Sequence, residues 1–372
     1  EQTHSQPDVA LLARISAERN ADLEAQRTRI AATANPAERW AILAAQLDSV
    51  VDEVTGELPA TNALLDDAQA LVSALPDPLA KQAALAIWKA QAAAEISVRL
   101  DHLRSAMALY DTVQSGPADP GPIMRATAMW LQEATDEDRG TRAARVDKAL
   151  ALGSGQPGLI GAETVRAFKL DDLLRRGSPE LALELARQWF EDALESGDGS
   201  ALPAAAQSYV DLTLGTNGPA PALDLLDRVL DRIESSPAGP VTYMDGLRRH
   251  GMWLAEAAGR PDWQQAQAKR LHAGGPLGAD PSLVSRALFW VMSGGRGPAA
   301  TLSDVDLAHW QGDSAGARRA AQRLLQQRPD FVVTVSIGNE ALPKPDEFRL
   351  KIVGETRKAV YERYGLTVRA AQ

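Results

Sequence analysis

The sequence predicts an all-α protein. The chain of 372 residues is 45% hydrophobic, yet only 5% of its residues are aromatic. Alanine, leucine, arginine and glutamate favour helices, whereas strands draw on β-branched and aromatic side chains. Apolar residues recur at steps of three and four along most of the chain, which is typical of helices with one buried face. Glycine and proline, which are typical of turns, recur at regular intervals in the second half of the chain. We therefore expect a succession of short helices there.

The first part of the chain predicts long helices. Residues 36–54 place Trp40, Leu43 and Leu47 on one helix face, with Asn35 as the cap and Pro36 at the first helical position. Beyond Pro78 no further glycine or proline occurs up to position 113. This segment predicts one helix of about 50 Å at a rise of 1.5 Å per residue. Residues 1–115 are therefore expected to form a long-helix bundle.

A linker and a change of pattern follow. Residues 115–122 read Ser-Gly-Pro-Ala-Asp-Pro-Gly-Pro, a composition typical of a connection between units. Beyond it the helices shorten, which predicts an array of helical hairpins over residues 122–330. Residues 331–337 are rich in β-branched side chains and predict an extended segment, with a short helix as the alternative. Residues 331–372 are expected to hold this segment and a capping helix.

Three turns in the array share one pattern: a turn residue, a small residue five positions later, and apolar residues four, seven and eight positions after that. The turn residues are Gly177, Asn217 and Gly312, and the small residues are Ala182, Ala222 and Ala317. A fourth turn at Gly259 has Gln264 in place of the small residue. Glycine or asparagine can adopt the left-handed conformation that ends a helix, and alanine lets two helices approach closely.

The last copy resembles the closing half of the tetratricopeptide repeat, as found in bacterial proteins. The matching residues are Gly312, Asp313, Ala317, Leu324, Leu325 and Pro329. The resemblance covers residues 138–330. The first helix of each hairpin lacks the family's usual Trp, Leu-Gly and Tyr positions, and Ala182 and Ala222 are 40 residues apart, against about 34 in the family. The resemblance implies a helical-hairpin solenoid whose first helices line a concave surface for a protein or peptide partner.

The sequence offers no catalytic, metal or cofactor motif. A net charge of −10 without a basic stripe argues against nucleic acid as a partner. The chain contains no cysteine, which excludes disulfides and thiolate metal sites. The five histidines show no metal-ligand spacing, and we predict that each lies at the surface or at a helix end. We therefore predict a non-enzyme with no cofactor, no metal ligand and no catalytic residue.

Tryptophan is the residue type that points most clearly to binding. The chain has 8 Trp against 5 Phe and 5 Tyr. These rings either fill gaps between alanine-rich helices or line a groove, where Trp offers an apolar face with a polar edge. Residues 243–253 combine aromatic, methionine and arginine side chains on one predicted first helix. The predicted ligand- or partner-binding residues are Tyr243, Arg248, Arg249, Trp253, Trp290, Trp130 and Tyr209.

These observations leave three hypotheses open. The first is a binding or scaffold protein that presents a concave surface to a protein or peptide. The second is a carrier of a hydrophobic small molecule or lipid within a transport system of the bacterial envelope. The third is an enzyme on a helical toroid, for which no site residue can be named.

The sequence also bears on location. No run reaches the ~18 apolar residues of a membrane helix, so no membrane-spanning segment is expected. The polar start at Glu1 is typical of a processed precursor, which favours the periplasm or an outer-membrane lipoprotein over the cytoplasm.

Overall fold

The chain forms two compact units, Glu1–Val165 and Arg166–Gln372. The computed structural model describes residues 9–53, 59–76, 78–112, 120–135, 137–153, 159–197, 201–236, 244–273, 301–338 and 344–371. Over these residues the protein is helical apart from two short strands, which confirms the predicted all-α class.

The first unit is a set of packed helices. They are α1 Val9–Ala31, α2 Pro36–Glu53, α3 Pro59–Val72, α4 Pro78–Ala92, α5 Ile96–Thr112, α6 Gly121–Glu133 and α7 Arg139–Leu152. Leu43, Leu47 and Leu64 are completely buried between α2, α3 and α4. Trp88 of α4 joins this core, and its indole Nε1 donates a hydrogen bond to Asp48 Oδ1 at 2.7 Å. The apolar spacing predicted for α2 is therefore the face that packs.

The predicted single helix over residues 78–113 is wrong. The chain breaks at residues 93–95, and α4 and α5 pack against each other. A single helix would need partners along its whole length, whereas the break lets α5 bury Leu103 and Met107. The guanidinium of Arg99 donates to the carbonyl of Ala93 at 3.0 Å, which satisfies a backbone group that the end of α4 leaves open. Neither glycine nor proline marks this break.

The predicted linker lies mostly outside the described residues, which omit positions 113–119. A domain boundary at residues 115–122 therefore stays a prediction.

The second unit continues with helices packed in neighbouring pairs. They are α8 Ala162–Arg175, which begins in the first unit, α9 Pro179–Ser196, α10 Leu202–Asn217, α11 Pro219–Glu234, α12 Met244–Ala257, α13 Pro261–Ala273, α14 Leu302–Trp310 and α15 Ser314–Gln327. Glycine or proline occurs at nearly every turn between these helices.

The repeat turns adopt the conformation that the sequence pattern requires. Gly177, Gly259 and Gly312 have φ of 69°, 65° and 78°. At the second copy the left-handed glycine is Gly218, with φ of 88°, and the predicted turn residue Asn217 is instead the last residue of α10.

The small residues that follow the turns are buried helix contacts. Ala182, Ala222 and Ala317 are all 0% exposed. In the fourth copy Gln264 is also buried, and its amide nitrogen donates to the carbonyl of Met252 at 3.0 Å. A larger polar side chain can therefore replace alanine here because it has a backbone partner.

The C-terminal segment adds a strand, a helix and a second strand. The extended segment predicted at residues 331–337 is strand β1, Val332–Ser336. It leads through helix α16, Pro345–Arg363, to strand β2, Thr367–Ala371, which sequence analysis missed. The two strands pair in parallel with Val332 opposite Thr367.

Glycines allow α16 to lie close to its neighbours. A Cβ atom on Gly354 would lie 2.5 Å from the carbonyl oxygen of Ser336 in β1. A Cβ atom on Gly215 of α10 would lie 2.7 Å from Cδ1 of Phe348 in α16. These two contacts place α16 against α10 on one side and against β1 on another.

Two glycines in α12 give a matched test of this packing. At Gly251 a Cβ atom would collide with the Trp263 ring and lie 2.6 Å from Leu226 Cδ2, whereas at Gly246 it would meet no atom within 4 Å. We predict that Gly251→Ala lowers the free energy of unfolding by about 1–3 kcal/mol through overpacking. Gly246→Ala should instead raise it by up to about 1 kcal/mol, because alanine is the better helix former. Urea unfolding followed by tryptophan fluorescence measures both variants, and equal effects would contradict the packing described.

Candidate functional site

A cavity of about 420 Å³ opens between α12, α14, β1 and α16 of the second unit. We refer to it as the arginine cavity, because Arg249, Arg349 and Arg357 line it. Helix α12 lines the cavity with Gly246, Arg249, His250 and Trp253. These positions lie three, four and seven residues apart, and that spacing places them on one helix face.

Helix α16 forms the opposite part of the lining. It contributes Arg349, Leu350, Val353, Gly354 and Arg357. Arg349, Val353 and Arg357 are four residues apart, as are Leu350 and Gly354, and this spacing places the five residues on one broad face of the helix. The face is mixed, since it carries two guanidinium groups beside two aliphatic side chains.

Strand β1 and helix α14 complete the lining. Thr334 and Ser336 alternate with the buried Val333 and Val335, so their hydroxyl groups face away from the core and toward the cavity. Helix α14 adds Asp306 and Trp310, which are one helical turn apart.

A buried carboxylate lies behind two of the lining residues. Asp211 of α10 is 1% exposed. Its carboxylate lies 3.3 Å from Nε of Arg349 and 3.4 Å from Nε2 of His250, and it accepts a hydrogen bond from the amide of Gln207 at 2.9 Å. Asp211 therefore lies close to one residue of α16 and one of α12 at the cavity wall.

Asp306 is the carboxylate of the cavity itself. The hydroxyl of Tyr361 donates a hydrogen bond to its Oδ1 at 2.8 Å, and the guanidinium of Arg357 donates to that hydroxyl at 3.3 Å. Burial raises the pKa of Asp306 to about 6, although the Tyr361 hydrogen bond and the charges of Arg357, His309 and Arg249 act to lower it. Burial also raises the pKa of Tyr361, so its hydroxyl remains a donor at neutral pH.

An aromatic cluster stiffens one wall. The Trp253 ring lies 5.5 Å from Trp310 and 5.7 Å from Tyr361, both edge to face, and stacks on His309 at 6.1 Å. The guanidinium of Arg357 lies 5.4 Å from the centre of the Trp253 ring. These contacts fix the position of Arg357 through a cation–π interaction as well as a hydrogen bond.

His309, a buried member of this cluster, has polar partners of its own. Its Nδ1 lies 2.9 Å from the Tyr364 hydroxyl, and its Nε2 lies 3.3 Å from the Glu256 carboxylate. The contact with His309 holds the pKa of Glu256 below its usual value.

Two of the predicted binding residues line the cavity, Arg249 and Trp253. Arg248, the neighbour of Arg249, instead forms an ion pair with Glu234 of α11. Tyr243 and Trp290 lie outside the described residues.

The two remaining predicted residues lie in helix-packing regions. Tyr209 is partly buried in α10, with its ring 6.1 Å from that of Phe190. Trp130 is 2% exposed and belongs to the interior of the first unit.

Sequence analysis missed much of the lining. The prediction that His250 lies at the surface or a helix end is wrong, because its side chain is 7% exposed in the middle of α12 beside Asp211. Asp306, Arg349 and Arg357 were not predicted either. Arg349 and Arg357 are eight residues apart, and the shared face with Leu350 and Val353 is the signal that could have identified them.

The arrangement is suited to binding oxyanions. Guanidinium groups offer several N–H donors with fixed directions, and the two hydroxyl groups of β1 add further donors. Within the described ranges, no group of three His, Asp or Glu side chains has a geometry that would hold a metal ion. In the same ranges no helix combines the length and apolar character needed to cross a bilayer. No protein-family model matches the chain, and no curated protein matches it in sequence.

The raised pKa of Asp306 predicts how the free energy of unfolding changes with pH. Its pKa of about 6 in the folded state lies above the ordinary value of 3.8, so the folded state binds the proton more tightly than the unfolded state. The contribution of Asp306 to the free energy of unfolding should therefore be highest below about pH 4 and be lost as the pH rises through 6. Two pKa units correspond to at most about 3 kcal/mol.

The variant Asp306→Asn keeps an acceptor for Tyr361 but cannot titrate. Denaturant unfolding of both proteins from pH 4 to pH 7 should show that the wild type loses stability relative to the variant as the pH rises. A difference that stays constant over this range would show that burial does not disfavour the carboxylate.

Proposed function

We propose that the protein is a non-enzymatic binding protein, built on a degenerate tetratricopeptide-like array, whose ligand occupies the arginine cavity. The observation that carries this proposal is the cavity itself. Its volume of about 420 Å³ falls within the range of about 300–1,000 Å³ that is typical of small-molecule sites. Its lining is largely polar and charged, with Leu350, Val353 and two tryptophans as its apolar part.

The lining is better suited to holding a ligand than to transforming one. Arginine stays protonated at neutral pH, so Arg249, Arg349 and Arg357 can attract a ligand but cannot exchange protons with it. The carboxylate of Asp306 already accepts the hydrogen bond of Tyr361. The three arginines therefore support a binding role.

A protein or peptide partner is the second candidate. It is supported by the packing of neighbouring helices from α9 to α13, which is compatible with a helical repeat. Such arrays present extended surfaces to partners. A location in the bacterial envelope, with lipid anchoring or a role in transport, stays a prediction from the sequence.

A larger side chain at Gly246 has room at the cavity lining, because a Cβ atom there would meet no atom within 4 Å. We predict that small-molecule fragments bind the full chain and lose their binding in Gly246→Phe, because a side chain at this position extends into open space at the lining. Saturation-transfer NMR with a diverse fragment set measures this.

The matched control is Ala266→Phe, which adds the same ring at an exposed position of α13. It should leave fragment binding unchanged. Fragments that bind equally well to wild type, Gly246→Phe and the control would rule out the cavity as the binding site.

A further inference from the structure

We infer that the arginine cavity selects a small organic anion, with a carboxylate or phosphate head that the arginines hold and an apolar body that the rest of the lining covers. This inference rests on the proposed binding function and adds the chemical class of the ligand.

The charges of the lining favour an anionic head. Arg249, Arg349 and Arg357 bring three guanidinium groups to one cavity, and among the described lining residues Asp306 is the single carboxylate. Asp211 offsets part of the charge of Arg349 from behind. Guanidinium groups match the geometry of carboxylate and phosphate oxygens and form hydrogen bonds about twice as strong as those between neutral groups.

Two hydroxyl groups can complete the recognition of the head. Thr334 and Ser336 lie on the side of β1 that faces the cavity, and each can donate one hydrogen bond. Strand β1 is held by its pairing with β2 and by the close contact of Gly354 with Ser336. The donors are therefore carried by a fixed backbone and not by a long flexible side chain.

The size of the cavity argues for an apolar body behind the head. One water molecule takes a share of about 30 Å³ in the liquid, so an inorganic anion a few times larger would occupy only part of about 420 Å³. Leu350, Val353 and Trp310 supply apolar lining surface for the remainder. An aromatic or short aliphatic body would bury this surface and add the hydrophobic contribution to binding.

A matched set of probes tests the inference on the full chain. Phenyl phosphate and phenylacetate carry the two heads, 2-phenylacetamide is the neutral analogue, phenethylamine is the cationic one, and inorganic phosphate lacks the body. Isothermal titration calorimetry at low ionic strength should show at least one aromatic anion binding about tenfold or more tightly than the amide, the amine and inorganic phosphate. The two anions compared with each other identify the head.

Variants that remove a positive or a negative charge from the lining test whether the anion preference arises in the cavity. Arg249→Gln should weaken binding of the preferred anion by about tenfold, because it removes one charged donor. Asp306→Asn should tighten it, because it removes the one negative charge of the lining. Arg323→Gln, at an exposed position of α15, should leave the affinity unchanged and controls for the loss of overall charge.

The result that would overturn the anion preference differs from the result that would overturn the proposed binding function. The anion preference would be overturned if neither phenyl phosphate nor phenylacetate bound more tightly than 2-phenylacetamide. The Gly246→Phe experiment with uncharged fragments would still decide whether the cavity binds ligands at all. Similar losses with Arg249→Gln and Arg323→Gln would show that the preference reflects overall charge and not the cavity.

Discussion

The close approach of α16 to α10 and β1 is the constraint on which the site depends. Phe348 lies where Gly215 leaves no side chain, and Gly354 lies against the backbone of Ser336. Without these glycines the helix would stand farther from its neighbours, because a methyl group at either position would collide with them. The cavity exists because α16 is held close at these points while its arginine-bearing face turns toward α12 and α14.

Buried electrostatics reinforce this packing. Asp211 is almost fully enclosed, and the cost of burying its charge is offset by Arg349 of α16, His250 of α12 and Gln207 of its own helix. The same side chains therefore hold three helices together and place a guanidinium and an imidazole at the cavity wall.

Local patterns predicted most of the helices but little of the site. The turns after α8 and α14 carry glycines whose positive φ is required, so Gly177 and Gly312 mark helix ends in the sequence itself. The break at residues 93–95 carries no such residue and depends on the packing of α5 against α4. Strand β2 forms only because β1 offers it an edge. Arg249 and Trp253 could be predicted because they lie on one helix face. Asp306 lies near them only through the tertiary fold, which the spacing of residues along the chain does not reveal.

The composition of the cavity wall argues for binding over structural stabilisation. Three guanidinium groups that face one space repel each other, and a fold that needed only to cover the end of a helix array would be at least as stable with apolar side chains there. The chain instead places Arg357 against Trp253 and Tyr361, and Arg349 beside the carboxylate of Asp211. Preorganised charges of this kind lower the cost of ordering side chains when an oppositely charged ligand enters. Proteins often carry such destabilising arrangements at their functional sites.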